Sequence, residues 1–230
     1  MKEVCVVVPV GPAETGASPL FERLQLLPES WQLVLVFCRQ SELLLSQLKL
    51  PDHAETITAT RGRAQQMNAG AEHADARYLW FIHADSMLEC GHVSLLQHAL
   101  ADKSDRLLCF ELAFSGDGSG PMSVNALGAN LRTRWLGVPF GDQAFCISAE
   151  LFKRVGGYPE DLPYGEDHVL VWQLRLAGIA VSMLKAPLVT SASKYKARGW
   201  LRLTCLYQWY WVKQAAPYAA RLLMKKVLRR

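Results

Sequence analysis

The segment RGRAQQMNAGAEHADARYLWFIHADS, Arg61–Ser86, decides how the chain is read. Its first half, Arg61–Ala74, carries Gly62, Ala64, Ala69, Gly70, Ala71 and Ala74 and predicts a slim helix that can pack close against a sheet. Its second half, Tyr78–His83, is an apolar run that predicts a buried strand. Asp85 stands where that strand runs out. In open α/β sheets ligands bind outside the carboxyl ends of the strands, so Asp85 is expected in a crevice.

Outward from this segment the same alternation continues. Val4–Val10 (VCVVVPV) and Leu33–Cys38 (LVLVFC) read as central strands covered on both faces, Glu55–Ala59 as a short third strand, and Glu42–Leu50 as a helix closed by Pro51. Further on come a helix over 91–101, a strand over Arg106–Phe114, a helix over Pro121–Trp135 and a return strand over Phe140–Ile147. Short helices follow at Ala149–Val155 and Glu166–Ala177, then a last strand at Ile179–Leu184. From Gly199 onward one or two helices are expected, broken near Pro217. Strands alternating with helices predict a doubly wound α/β sheet with right-handed crossovers.

With 230 residues, half of them hydrophobic and a fifth charged, the chain can bury a sizeable core, and the composition excludes a disordered protein. The net charge of +4 hides an asymmetry: all 21 acids lie in residues 1–167, whereas residues 168–230 hold 12 Lys and Arg and no acid. That imbalance points to a polyanionic partner for the basic end. Six scattered cysteines without a CxxC predict free, mostly buried thiols in a reducing compartment. Val4–Val10 is too short for the core of a leader peptide, and no run reaches the roughly 18 apolar residues of a spanning helix, so a cytoplasmic protein is expected.

Four groups can carry chemistry, and three of them have a plainer reading. Arg61 and Arg63 begin a helix whose free N–H groups favour anions, which suits phosphate; alternatively the arginines are solvated and the small residues are packing. In His83-Ala84-Asp85 a carboxylate past a buried strand can hold Mg²⁺ or Mn²⁺, with substrate phosphates supplying further ligands; alternatively Asp85 caps a turn. Gly165-Glu166-Asp167 opens a helix, where an acid can serve as general base towards a hydroxyl or can cap N–H groups. Gly141-Asp142-Gln143 adds polar groups without an obvious packing purpose.

In order along the chain, GRAQQMNAGAEHA (62–74), LWFIHADSML (79–88), FGDQAFCISAELFKRVGGYPEDLPYGED (140–167) and TSASKYKARGW (190–200) resemble the inverting glycosyltransferases of family 2, in particular a bacterial subgroup associated with radical-SAM and selenodomain genes. The resemblance covers most of residues 4–200. It implies an α/β, Rossmann-like GT-A fold over residues 1–198 with a helical extension over 199–230. It further implies a metal-dependent hexosyltransferase that takes a nucleotide-sugar donor. Carried over by position, Asp85, with His83 beside it, would bind Mg²⁺ or Mn²⁺, and Asp167, paired with Glu166, would be the catalytic base. Arg63 and Asn68 would line the donor side, Asp142 and Gln143 would face the acceptor, and Lys194 would meet the diphosphate. This chain departs from the family at several points. His83 replaces the first acid of the DxD element, Cys38-Arg39-Gln40 replaces an Asp-Gly-type turn, and Gly11-Pro12 replaces Asn-Glu. Two other readings stay open at this stage: a catalytically silent nucleotide-sugar-binding protein, and a nucleotidyltransferase on a similar sheet.

The last stretch interleaves Tyr195, Trp200, Tyr207, Trp209, Tyr210, Trp211 and Tyr218 with Lys and Arg. Aromatic rings with polar edges beside basic residues suit the surface of an anionic membrane, which makes a peripheral association on the inner face the expectation and leaves nucleic acid outside it.

Overall fold

In the computed structural model, which describes residues 1–102 and 105–227, the first strand runs through the core. Every residue of β1 (Lys2–Val10) from Val4 onward is buried. It pairs in parallel with β2 (Gln32–Cys38) on one side and with β4 (Ala76–Phe81) on the other, and β2 pairs in parallel with β3 (Ala54–Ala59). The period-2 alternation of side chains divides these strands between two apolar layers. Val4, Val6, Val8 and Val10 join Leu33, Leu35, Phe37 and Trp80 on one face, covered by Leu96 and Leu100 of α2 (Cys90–Asp102). Cys5 and Val7 join Val34, Val36, Leu79 and Phe81 on the other.

The second face is covered by α1 (Arg63–His73), α4 (Ala149–Arg154), α5 (Glu166–Leu176) and the long C-terminal α7 (Trp200–Val227). Gly70 of α1 lies directly on Val7 and Val36, where a Cβ would overlap a Val7 methyl. The small residues of this helix therefore serve close packing, as their spacing predicts. Above Gly70 the Gln66 amide donates to the Val10 carbonyl at 2.9 Å and to the Val36 carbonyl at 2.6 Å, tying the helix to two strand ends.

The eight-stranded sheet runs β3-β2-β1-β4-β7-β6-β8-β5. It is wholly parallel only in its first half, its second half keeping a single parallel pair among antiparallel ones, in contrast to a doubly wound parallel sheet. β7 (Cys146–Ser148) enters antiparallel to both β4 and β6 (Leu107–Phe114), and β5 (Ser86–Met87) caps the far edge antiparallel to β8 (Val181–Thr190). The expected strand over Phe140–Ile147 is confined to β7, because Gly141–Gln143 forms a 3₁₀ turn and Ala144 sits at φ 49°. That left-handed conformation, costly for alanine, cannot belong to a strand. β8 extends past the expected end at Leu184 because an irregularity opposite Phe110 and Glu111 accommodates Pro187.

α3 (Met122–Leu136) and the short α6 (Ser193–Arg198) complete the fold. α7 continues through Pro217 as one helix, where a break is expected from the missing N–H. Tertiary packing holds it: Leu203 and Ala215 are buried, and the Tyr218 ring stacks on Trp172 of α5 at 6.2 Å. The last three residues of the expected 199–230 extension lie outside the described residues. Among the described residues no helix is long and apolar enough to cross a membrane. All six cysteines are free, four of them buried and Cys90 and Cys205 exposed.

Candidate active site

The loop after β4 is pinned from several directions. Ile82 N–H donates to the Val7 carbonyl at 3.1 Å, Leu20 N–H to the Ala84 carbonyl at 3.2 Å, and Ser86 N–H to the His83 carbonyl at 3.1 Å. Ile82 and Ala84 are thereby drawn into the core, while the half-buried His83 and Asp85 between and beyond them face the crevice. His83 Nδ1 meets Asp142 Oδ1 at 3.2 Å. Burial works to raise the Asp142 pKa, but the His83 hydrogen bond and the charges of His83, Arg63 and Lys194 overcome it and hold this carboxyl far below the usual carboxylate range.

The second acidic segment begins at Gly165, whose φ of 74° turns the chain into α5 and brings Glu166 and Asp167 to the helix N-terminus. Asp167 Oδ2 accepts from Gly141 N–H at 2.5 Å, and Oδ1 accepts from His168 N–H at 2.8 Å. A Cβ at Gly141 would stand 3.0 Å from Asp167 Oδ2 and 3.2 Å from His83 Cε1. A glycine at this position allows the two acid-bearing loops to approach each other.

Arg63 joins them. Its Nε lies 3.2 Å from Glu166 Oε1. Burial opposes its charge, yet the fields of Glu166, Asp142, Asp167 and Asp85 prevail and bind its proton more tightly than in a free arginine. A cavity of about 510 Å³ opens here, lined by Arg63, Asp85, Asp142, Glu166, Asp167 and Lys194 among others. A smaller one of about 100 Å³, at the carboxyl ends of β1 and β4, is lined by Pro9, Gly11 and His83 and shares Arg63, Asp85 and Lys194 with the first. These three residues stand where the two meet.

Two residues expected at the site lie elsewhere. Gln143 is fully buried: its Nε2 donates to the Phe110 carbonyl, and its Oε1 accepts from Phe140 N–H and Thr133 Oγ1. It fixes the 3₁₀ turn that carries Asp142 and does not line the cavity. Asn68 brackets the Tyr158 backbone, donating to its carbonyl at 2.8 Å and accepting from its N–H at 3.0 Å, which anchors the loop after α4 to α1.

Other cavity residues carry no signal in the sequence. Trp172 Nε1–H donates to His168 Nε2 at 2.8 Å, so Nδ1 bears the proton and donates to Gln214 Oε1 at 3.0 Å. Burial lowers the His168 pKa and keeps the ring neutral, although Gln214 and Asp167 pull the other way. Gln214 Nε2 in turn donates to the Tyr164 carbonyl at 3.0 Å. In this way α7 holds the turn on which Asp167 rides. Arg132 of α3 donates from Nε to the Val138 carbonyl at 2.8 Å and lies over the Phe140 ring at 3.6 Å. Burial brings its pKa down to about 10, partly offset by Asp167, and it stays charged at neutral pH.

The donor set is compatible with a divalent cation of modest demands. Among the described residues no three His, Cys, Asp or Glu side chains stand close enough to hold an ion alone. Asp85 is a single carboxylate at the junction of the two cavities, which suits a metal that takes its remaining ligands from water and substrate phosphates.

No family model matches the sequence, and no curated protein matches it. Solved structures do resemble its fold. Residues 1–349 of S. aureus TarS in complex with UDP-GlcNAc superpose with a TM-score of 0.64 at 16% identity, covering 82% of this chain and 58% of that one. The mannosyltransferase PcManGT from Pyrobaculum calidifontis, in complex with GDP-Man and Mn²⁺, gives 0.58 at 18% identity, covering 81% and 56%. The chain thus spans under two thirds of the length of these structures. At such identities the likeness is one of architecture: a mixed, curled α/β sheet with a helical C-terminal region, which is the GT-A fold.

Proposed function

We propose that the protein is an inverting, metal-dependent glycosyltransferase of family 2, of the radical-SAM and selenodomain-associated kind. It moves a hexose from a nucleotide-sugar to an acceptor hydroxyl. The observation that carries this reading is that Asp85 and Asp167, 82 positions apart in the sequence, line one cavity on a GT-A fold. TarS and PcManGT, which share the fold, were solved with UDP-GlcNAc and with GDP-Man and Mn²⁺. Residues 1–198 are the transferase domain, and α7 of the 199–230 extension completes the acceptor wall.

Asp167 is the base. Its two oxygens are oriented by the Gly141 and His168 N–H groups, and its free lone pairs take the proton of the attacking hydroxyl, a role worth roughly 10²–10⁴ in rate. Arg63 and Lys194 stabilise the negative charge that develops on the departing nucleoside diphosphate. Bound at Asp85, Mg²⁺ or Mn²⁺ supplies further positive charge to that leaving group. Attack from the Asp167 side, opposite the leaving group, inverts the anomeric centre. Asp142, expected to face the acceptor, is held ionised by His83 and lends its charge to Arg63 and Lys194 on the donor side instead.

The acceptor lies at an anionic membrane surface, on its cytoplasmic face. Neither α3 nor α7 contains an acidic residue, and both expose large apolar side chains, among them Trp135 at 75% and Trp209 at 63%. Each Lys or Arg near such a surface contributes about 1 kcal/mol. Nucleotide release from a panel of UDP- and GDP-sugars, with and without Mn²⁺, tests the transferase reading. Metal-stimulated release from one donor class supports it, and a wholly inert panel rejects it. Failure to co-float with anionic liposomes at low salt removes the membrane from the account.

A further inference from the structure

Two side chains on the α3–α7 wall of the large cavity carry buried donor atoms that no acceptor among the described residues reaches. They are Arg132 Nη2 and Trp211 Nε1. Buried polar hydrogens are almost always paired, and an unpaired guanidinium edge is the most costly kind to leave open. Here two such groups belong to neighbouring side chains, with the Arg132 guanidinium carbon 5.8 Å from the centre of the Trp211 ring.

The wall around them is fixed. Arg132 is held by the Val138 carbonyl and the Phe140 ring, so its guanidinium cannot swing away to water. Next to Trp211, Tyr210 stacks on Tyr164 at 4.2 Å. Arginines facing acids elsewhere are spent: Arg63 on Glu166, Arg106 on Asp105 and Arg134 on Glu111. Among the described residues no carboxylate lies within ion-pair distance of Arg132. A charged donor and an indole N–H held side by side in an aromatic wall call for an acceptor that is itself anionic and exposes an oxygen.

We propose that Arg132 and Trp211 form a subsite for an oxyanion, a phosphate ester or a carboxylate, carried by the acceptor. The acceptor is then an acidic molecule whose charged group rests on α3 and α7 while its hydroxyl reaches Asp167 in the same cavity. This rests on reading that cavity as the acceptor site. Because the donor phosphates belong with Arg63 and Lys194, the subsite discriminates among acceptors and is separate from donor binding.

Uniform labelling of the seven tryptophans with ¹⁵N gives indole N–H resonances that report each ring separately. Trp211→Phe assigns the one that matters. Titration uses glycerol 1-phosphate, glucuronate and glucose. A saturable shift of the Trp211 resonance with glycerol 1-phosphate or glucuronate, and none with glucose, is expected, and the stronger of the two anions identifies the source of the oxyanion. Arg132→Gln should weaken that binding at least tenfold while the other indole resonances keep their positions, and Arg132→Lys should recover part of it. The proposal is overturned by equal shifts with glucose, by no shift with either anion, or by unchanged anion affinity in Arg132→Gln. Calorimetry of wild-type protein with nucleotide-sugars separates the two failures: anion binding at Trp211 without donor binding refutes the transferase reading and leaves the subsite standing, and donor binding without anion binding does the reverse.

Discussion

The two sides of the cavity are built by different means. On the proposed donor side the charges neutralise one another: Arg63 at the start of α1 with Glu166 at the start of α5, and His83, on the loop that follows β4, with Asp142 of the 3₁₀ turn. On the proposed acceptor side the walls are aromatic, and Arg132 of α3 has no carboxylate within ion-pair distance among the described residues. The contrast teaches that the first half is preorganised by its own ion pairs, whereas the second depends on how α3 and α7 pack over the cavity.

The largest expected effect separates the halves. Asp167→Asn keeps the size of the side chain and removes its basicity, so turnover should fall by about 10²–10⁴ with donor affinity retained. Steady-state kinetics beside donor titration reads both, and loss of donor affinity in this variant would erase the division. Gly141→Ala comes next: the new methyl presses on Asp167 and His83 at once, and overpacking of this kind costs roughly 1–3 kcal/mol. A lowered melting temperature together with reduced turnover should follow, and wild-type behaviour in both would show that the loops are not in close contact.

Gln214→Ala acts only on the helical half. It leaves the His168 Nδ1–H and the Tyr164 carbonyl without partners, at about 1–3 kcal/mol, and should slow turnover more than it weakens donor binding. A change in donor affinity alone would place Gln214 on the wrong side. The smallest effect is a pH dependence. His168 is buried neutral with a lowered pKa, so below its ordinary value of 6.5 the unfolded chain binds a proton that the folded one refuses. Stability should therefore fall as pH drops through about 6.5 and keep falling until the folded-state pKa is reached. His168→Gln should flatten that slope in melting experiments between pH 7 and 5, and an unchanged slope would assign it to other groups.

The strand framework was legible because burial on both faces leaves an unmistakable run: Val4–Val10 and Leu33–Cys38 are strands as read. That Asp85 and the Glu166-Asp167 pair stand on one crevice was legible as well, since each follows a structural boundary that sequence marks plainly. Polar residues with bracing roles were not. Gln143 and Asn68 read as ligands, yet their amides satisfy backbone groups, and nothing in one dimension distinguishes an amide facing a cavity from one facing a carbonyl. The break at Ala144 hid for a similar reason, because its positive φ is imposed by the turn that Gln143 holds. α7 ran past Pro217 because its packing on α5 outweighs the lost hydrogen bond. Its share in the cavity, through Gln214 and Trp211, depends on that tertiary contact and has no local signature.

The central claim is that Asp85 serves the donor and Asp167 the acceptor across one cavity. Calorimetric titration of UDP- and GDP-sugars into wild-type protein, Asp85→Ala and Asp167→Asn, with and without Mn²⁺, tests it most directly. The account predicts binding of one donor class that Mn²⁺ strengthens, that Asp85→Ala abolishes and that Asp167→Asn leaves intact. Donor binding indifferent to both Mn²⁺ and Asp85, or no donor binding by the wild type, would contradict it.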